Sequence, residues 1–350
     1  MCRLYMILLV AFLSACAPTA TTPIILTKVP PQPTETLMPP TNTPETTPFL
    51  QRGVNMGNML EAPNEGEWGL TVQEEYFDLI KEAGFDFVRL PVRWNAHADE
   101  TAPYMIDPAF FARVDHVVGW ALERNLTVII DFHHYEEMAQ DPLSHKQRFL
   151  GIWKQISEHY KDHPSSVLFE LLNEPNNKLN AALWNEYSAE ALKIVRETNP
   201  ERGVIIGPVS WNAYDWVSTL EVPADEHIIV TFHYYLPFHF THQGAEWVDG
   251  SDPWLGTTWN AKDTEKAEVR SHFNSVADWA KTKKISILLG EFGAYSKADL
   301  ASRVRWTEYI TREAERHGFA WAYWEFGSGF GVYDPAAQAW REELLKALIP

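Results

Sequence analysis

From about residue 49 onward the chain alternates between short apolar runs and longer stretches with helical periodicity. The apolar runs cover 53–56, 87–90, 128–132, 167–172, 204–206, 228–232, 285–289 and 319–323, and most are rich in β-branched residues. Runs without polar alternation are the mark of strands buried on both faces, as in a parallel sheet covered by helices. The helices between them are signposted. Asp107-Pro108 opens one, with Phe111, Val114, Val118, Ala121 and Leu122 along a face. Thr71 to Glu74 and Ser144 to Gln147 read as capping boxes. The first leads to Phe77, Ile80 and a stop at Gly84, the second to Phe149, Ile152, Trp153 and Ile156. Eight strand–helix units predict the α/β class and a single closed (β/α)8 barrel, the TIM barrel. An open doubly wound sheet is the alternative. Against it, no Gly-x-Gly-x-x-Gly turn follows the first strand, and polar residues recur beyond nearly every strand.

The first 48 residues are patterned differently. After Arg3, residues 4–13 form an apolar run too short to span a bilayer, which reads as a signal-peptide core. It ends in Leu13-Ser14-Ala15-Cys16, which resembles a bacterial lipobox. This predicts a signal peptide over 1–15 and lipidation at Cys16. Residues 17–48 hold 10 Thr and 9 Pro, too little apolar surface to offset chain entropy, so 16–48 is expected to be an exposed tether. The folded domain is then 49–350, displayed by a secreted lipoprotein at the bacterial cell surface and touching the membrane only through its anchor. The only cysteines are Cys2 and Cys16, so the folded part has no disulfide and no thiol ligands.

Composition narrows the chemistry. A formal net charge of −18 argues against nucleic acid and any other polyanion as a partner. Fifteen Trp exceed what packing alone demands, and aromatic faces suit neutral sugar rings.

In a (β/α)8 barrel the site lies where strands end. The first strand leads to Asn58 and Glu61, and the second carries Arg89. The third gives Asp131, His133 and His134, and the fourth Asn173 and Glu174. The fifth leads to Trp211, the sixth to His233, Tyr234 and Tyr235. The seventh gives Glu291, the eighth Trp324 and Glu325. Cleaving a glycosidic bond needs two carboxyls, one protonated and one ionised. Glu174 and Glu291 are the best pair, since strands four and seven face each other across a barrel mouth. Glu174 would stay protonated near an anionic Glu291, which Arg89 and the Tyr235 hydroxyl would keep ionised. Arg89 could instead pair with Glu170. A metal hydrolase built on Asp131, His133, His134 and His233 is disfavoured, because adjacent histidines on a strand point to opposite faces. A non-catalytic glycan-binding protein is disfavoured because binding needs no carboxyl pair.

Several stretches then resemble one family. Arg52-Gly-Val-Asn-Met-Gly-Asn58, Phe87-Val-Arg-Leu-Pro91, Phe169-Glu-Leu-Leu-Asn-Glu-Pro175 and Leu289-Gly-Glu-Phe-Gly293 look like the signature stretches of glycoside hydrolase family 5. Residues 58–69, Thr241-His-Gln-Gly-Ala-Glu-Trp247 and 321–331 resemble its thermophilic bacterial endo-β-1,4-glucanases, some of which also hydrolyse β-mannan. The resemblance runs from Gln51 to Leu348. It implies a retaining double displacement with Glu174 as acid/base and Glu291 as nucleophile, their carboxyls roughly 5–5.5 Å apart. It also implies support from Arg89, Asn173, His233 and Tyr235, with Asn173 on the sugar 2-hydroxyl and Trp324 as platform. Asn58, Glu61, His133, His134, His242 and Trp247 become glycan contacts. The implied enzyme is a monomer acting on β-1,4-linked neutral polysaccharide, with no cofactor and no metal. Preference between glucan and mannan is not legible, because it turns on pocket shape around one axial hydroxyl.

Overall fold

Side chains on a barrel strand alternate between the lumen and the surrounding helices, and that alternation builds the site in tiers. The computed structural model describes residues 50–350. The expected signal peptide, Cys16 and the Thr/Pro-rich tether lie outside them. Eight parallel strands close in sequence order: β1 (Arg52–Asn55), β2 (Phe87–Val92), β3 (Thr127–Phe132), β4 (Val167–Glu170), β5 (Val204–Ile206), β6 (Ile228–His233), β7 (Ser286–Phe292) and β8 (Ala320–Tyr323). This is the expected (β/α)8 barrel. None of the described helices is long and apolar enough to cross a membrane.

The lowest lumen tier is an apolar plug made of Phe87, Ile129, Leu168, Ile205, Ile229, Leu288, Ala320 and Ala322, with Leu50 among them. Phe87 takes the room β1 would use: a Cβ on Gly53 would stand 2.3 Å from its ring. Two residues further along the first four strands the same face turns polar, with Asn55 on β1, Arg89 on β2, Asp131 on β3 and Glu170 on β4, all fully buried. Outward residues such as Val88, Ile130, Phe169, Val230 and Trp321 pack under the helices in the main core.

Helix boundaries depart from the capping-box reading. The first helix is Glu75–Ala83, not a start at Thr71. The Val72 N–H is taken by Glu65, which Arg113 on a neighbouring helix holds through Nε at 2.7 Å. The Thr71 hydroxyl accepts from the Gln73 side-chain amide at 2.5 Å instead of capping a helix start. The helix does stop at Gly84, at φ 97°. Ser144 likewise lies inside a helix that starts at Pro142. The helix Pro108–Glu123 begins as expected, with the Asp107 side chain accepting from the Ala109 N–H.

At the opposite end of the barrel from the polar tier, one arginine ties the approach to β4 together. Arg202, nearly fully buried, donates to the carbonyls of Tyr160, His163, Pro164 and Val167 and to Asn199 Oδ1. Burial pulls its proton affinity down to about 10, yet it stays charged at neutral pH. Arg202→Met should therefore cost about 3 kcal/mol or more in urea unfolding, because orphaned carbonyls each cost about 1–3 kcal/mol. Activity of the folded fraction should be unchanged. A loss below about 1 kcal/mol, the size of an ordinary surface change, would contradict this account.

Candidate active site

Glu291 reaches the lumen through an irregularity in β7. Leu288 faces inward and Leu289 outward, so Glu291 would be expected to face the helices after an inward Gly290. Instead the pairing with β6 slips, Phe232 matching Leu289 and His233 matching Glu291. Gly290 and Glu291 then both face inward. Only glycine fits at 290, where a Cβ would stand 2.4 Å from Thr231 Oγ1. Such bulges re-aim side chains next to active sites.

Arg89 sits at the centre of the polar tier. Its Nε and Nη2 donate to both oxygens of Glu170 at 2.7 and 2.9 Å, and its Nη1 donates to Glu291 Oε1 at 2.7 Å. Nη2 also donates to Asn173 Oδ1 at 2.8 Å and lies 3.0 Å from Asp131 Oδ2. Arg89 therefore pairs with Glu170 and with Glu291 at once. Burial works against its charge, but Asp131, Glu170 and Glu291 more than offset this and hold it cationic. One cation among three buried carboxyls leaves excess negative charge. Asp131 is accordingly pushed well above the usual carboxylate range, by burial first and by Glu170 and Glu291 next, against the pull of Arg89.

Glu174 stands beyond the end of β4 in left-handed backbone, at φ 48°. Its Oε1 lies 2.7 Å from His233 Nδ1, while the other nitrogen of that ring lies 3.3 Å from Asn212 Nδ2. Burial lowers His233 to about 4, so the ring is neutral and donates to Glu174 through Nδ1. Tyr235 donates its hydroxyl to Glu291 Oε2 at 2.9 Å. One oxygen of Glu174, one of Glu291 and a nitrogen of His233 lie within 4.8 Å of one another. Both carboxyls are raised, chiefly by burial, Glu174 to about 7. The expected cause for Glu174 was the charge of Glu291; the structure assigns it to burial, with Glu170 contributing. Glu291 accepts from a guanidinium and a hydroxyl, Glu174 from one neutral imidazole, so the anionic form is better supported at Glu291 than at Glu174.

A profile of the family described as Cellulase (glycosyl hydrolase family 5) matches residues 44–329. The chain belongs to glycosyl hydrolase family 5. It is an O-glycosyl hydrolase of cellulase-like type. Endoglucanase H of Acetivibrio thermocellus is 38% identical over 325 residues, 89% of this chain, although the chain spans only 35% of that relative's length. Structures of Thermotoga maritima Cel5A in complex with cellobiose and with mannotriose superpose with a TM-score of 0.85 at 50% identity, covering 86% of this chain and 98% of theirs. Cellulose synthase subunit Z from Clostridioides difficile is 40% identical with a TM-score of 0.84, covering 86% of this chain and all of that one.

Around this family 5 pair the other expected residues sort by access. His134 and Trp324 are partly exposed beside the carboxyls, and Trp324 lies parallel to His133 with centroids 5.7 Å apart. Asn58, in left-handed backbone, donates its amide to Glu325 Oε2 at 2.7 Å. His242 stacks on Phe238 at 4.1 Å and meets Tyr235 edge-on at 5.0 Å. Trp247 is 60% exposed and rests edge-on against Tyr295. Two of the expected glycan contacts are engaged by protein groups. Glu61 is 0% exposed, and its oxygens accept the Asn58 and Met59 backbone N–H groups. His133 is nearly fully buried and has both ring nitrogens occupied, by Asp131 and Asn173. The metal set weighed above is not brought together: among the described residues only Glu174, His233 and Glu291 meet the spacing.

Three further residues contribute to the site. Asn55 donates to the carbonyls of Gly290, Ala322 and Tyr323 and accepts from Arg89 Nη1. Asn212 braces His233, and Glu325 braces Asn58. Glu325 is raised to about 8, first by burial, and so is neutral at pH 7. A cavity of about 900 Å3 lies on the flank, lined by Tyr104, Phe111 and His159 and not by Glu174 or Glu291. A pocket of about 280 Å3 opens beside Glu174, bounded by His134, Asn173, Asn177 and Trp211.

Proposed function

We propose that this chain is a retaining, endo-acting β-1,4-glucanase with Glu174 as acid/base and Glu291 as nucleophile. The observation that carries this is the approach of the two carboxyls to within 4.8 Å. That separation matches the retaining geometry and leaves no room for a water between nucleophile and sugar, as inversion would need. Glu174 gives its proton to the glycosidic oxygen, which leaves with the bonding electron pair as Glu291 bonds to the anomeric carbon. Glu174, now a carboxylate, takes a proton from water. The water oxygen attacks the same carbon and Glu291 departs as carboxylate. Because Glu174 Oε1 is taken by His233, its proton sits on Oε2.

The exposed rings of Trp68, Trp211 and Trp247 support binding of an extended neutral chain rather than a single sugar. The leader and Thr/Pro-rich stretch support display of a monomeric enzyme at the bacterial surface by a lipid on Cys16. The complex of Thermotoga maritima Cel5A with mannotriose favours β-1,4-mannan as a second substrate of the same site. Initial rates on barley glucan and galactomannan rank the two.

The test is the anomeric configuration of the first product, followed by proton NMR during hydrolysis of cellotetraose. The β-anomer should appear first; initial α-anomer would remove Glu291 as nucleophile. A second expectation concerns pH. Glu174 must be protonated in the first step, so kcat/KM should fall about tenfold per pH unit once pH rises above its value near 7. A flat profile from pH 6 to pH 9 would rule Glu174 out as the acid.

A further inference from the structure

Two buried side chains beside the catalytic pair take no part in the bond changes above. Asp131 is fully buried, its Oδ2 lies 3.0 Å from Arg89 Nη2, and the same oxygen makes a short contact with His133 Nδ1. Its Oδ1 has no partner among the described residues. Arg89 can only donate, so Asn173 turns Oδ1 to it and its amino group to His133 Nε2; that nitrogen must accept, and the hydrogen shared with Asp131 therefore belongs to the imidazole Nδ1. Burial keeps that imidazole neutral, far below its ordinary proton affinity. A neutral ring that donates through Nδ1 accepts through Nε2. That nitrogen lies 3.3 Å from Asn173 Nδ2, while Asn173 Oδ1 accepts from Arg89 Nη2 at 2.8 Å. Both ends of the Asn173 amide are thereby specified. One Nδ2 hydrogen goes to His133, and the other is left for the cleft beside Glu174.

We propose that Asp131 and His133 are positioning residues: by fixing the imidazole tautomer they orient the Asn173 amide so that it presents an N–H to the 2-hydroxyl of the sugar held by Glu291. The inference rests on the reading of Glu174 and Glu291 given above. With the other tautomer, His133 would place an N–H against the Asn173 amino group, donor against donor. Turning the amide over would then set its amino group against Arg89. No orientation would satisfy both neighbours. The 2-hydroxyl bond strengthens in the transition state, so its loss is read in kcat more than in KM.

The experiment compares 2,4-dinitrophenyl β-cellobioside with its analogue lacking the 2-hydroxyl on the sugar next to the aryl group. Asp131→Ala removes the acceptor. His133→Phe keeps a ring beside Trp324 but removes both nitrogens. On the parent substrate each should lower kcat about tenfold to a hundredfold with KM within about threefold, as expected for a group that aligns a transition-state contact. On the 2-deoxy analogue both variants should match the wild-type enzyme within about threefold, because the contact they align is already absent. Asp131→Asn, whose carbonyl oxygen can still accept from Nδ1, should recover most of the loss. Equal losses on both substrates would overturn the proposal, and His133→Phe decides alone should Asp131→Ala not fold. Asn173→Ala is the control. If it shows no dependence on the 2-hydroxyl, the Asn173 contact is wrong and the proposal falls with it. Failure of the Glu174–Glu291 reading shows separately, as the α-anomer from the wild-type enzyme.

Discussion

Glu291→Gln should lower kcat on β-1,4-glucan by at least about 10⁴-fold, the scale seen when a catalytic nucleophile is removed. Glutamine keeps the shape of the side chain, and its amide oxygen can still accept from Arg89 Nη1. Its amide nitrogen can meet the Tyr235 hydroxyl, which then accepts instead of donating. Binding of cellotetraose, measured by calorimetry, should therefore stay within about threefold, since ground-state contacts are retained while covalent attack is lost. Folding should not suffer. Arg89 keeps Glu170 and Asp131, and removing one of three carboxyls around one cation relieves the excess negative charge. The melting temperature is expected to match or exceed that of the wild-type enzyme, as at other active sites that trade stability for function. Turnover near the wild-type rate would show that another group forms the bond to the sugar.

Glu174→Ala should separate substrates by leaving group. On glucan, where the departing sugar needs a proton, kcat should fall by about 10³-fold or more, in the range supplied by general acid catalysis. With 2,4-dinitrophenyl β-cellobioside the leaving group needs no proton, so Glu291 should still be glycosylated rapidly. Water would then attack slowly, because no base remains to activate it. Azide, small enough for the space left by the side chain and needing no base, should restore turnover and give the β-glycosyl azide. Equal losses on glucan and on the aryl glycoside, with no azide product, would exclude Glu174 as acid/base. Because His233 donates to Glu174 through Nδ1, the variant also frees that nitrogen, and rescue by azide distinguishes lost chemistry from a displaced imidazole.

The barrel was legible because burial on both faces erases polar alternation, so eight strands print as eight apolar runs separated by helical periodicity. The strand-end rule then led to Glu174, Glu291, Arg89, His233 and Tyr235 from their positions alone. Local signals failed where other side chains competed with them. Thr71 is no cap: its hydroxyl accepts from the Gln73 side chain, and the helix starts only at Glu75. Glu61 and His133 read as glycan contacts from the family resemblance and from their places beyond strand ends. Whether such a side chain faces sugar or protein depends on neighbours dozens of residues away, Asn173 for His133 among them.

The amino-acid sequence by itself determined the (β/α)8 class, the strand order and which two carboxyls lie at the mouth, because these follow from periodicity and from proximity along the chain. Tertiary structure alone decided the rest. The slip at Gly290 turns Glu291 inward, one guanidinium serves three carboxyls, and the pairs Asp131–His133 and Asn212–His233 form beside Glu174 and Glu291. Each depends on which strands stand side by side and in what register, and hydrogen bonds of about 3 Å between residues far apart in the chain leave no periodic trace in it.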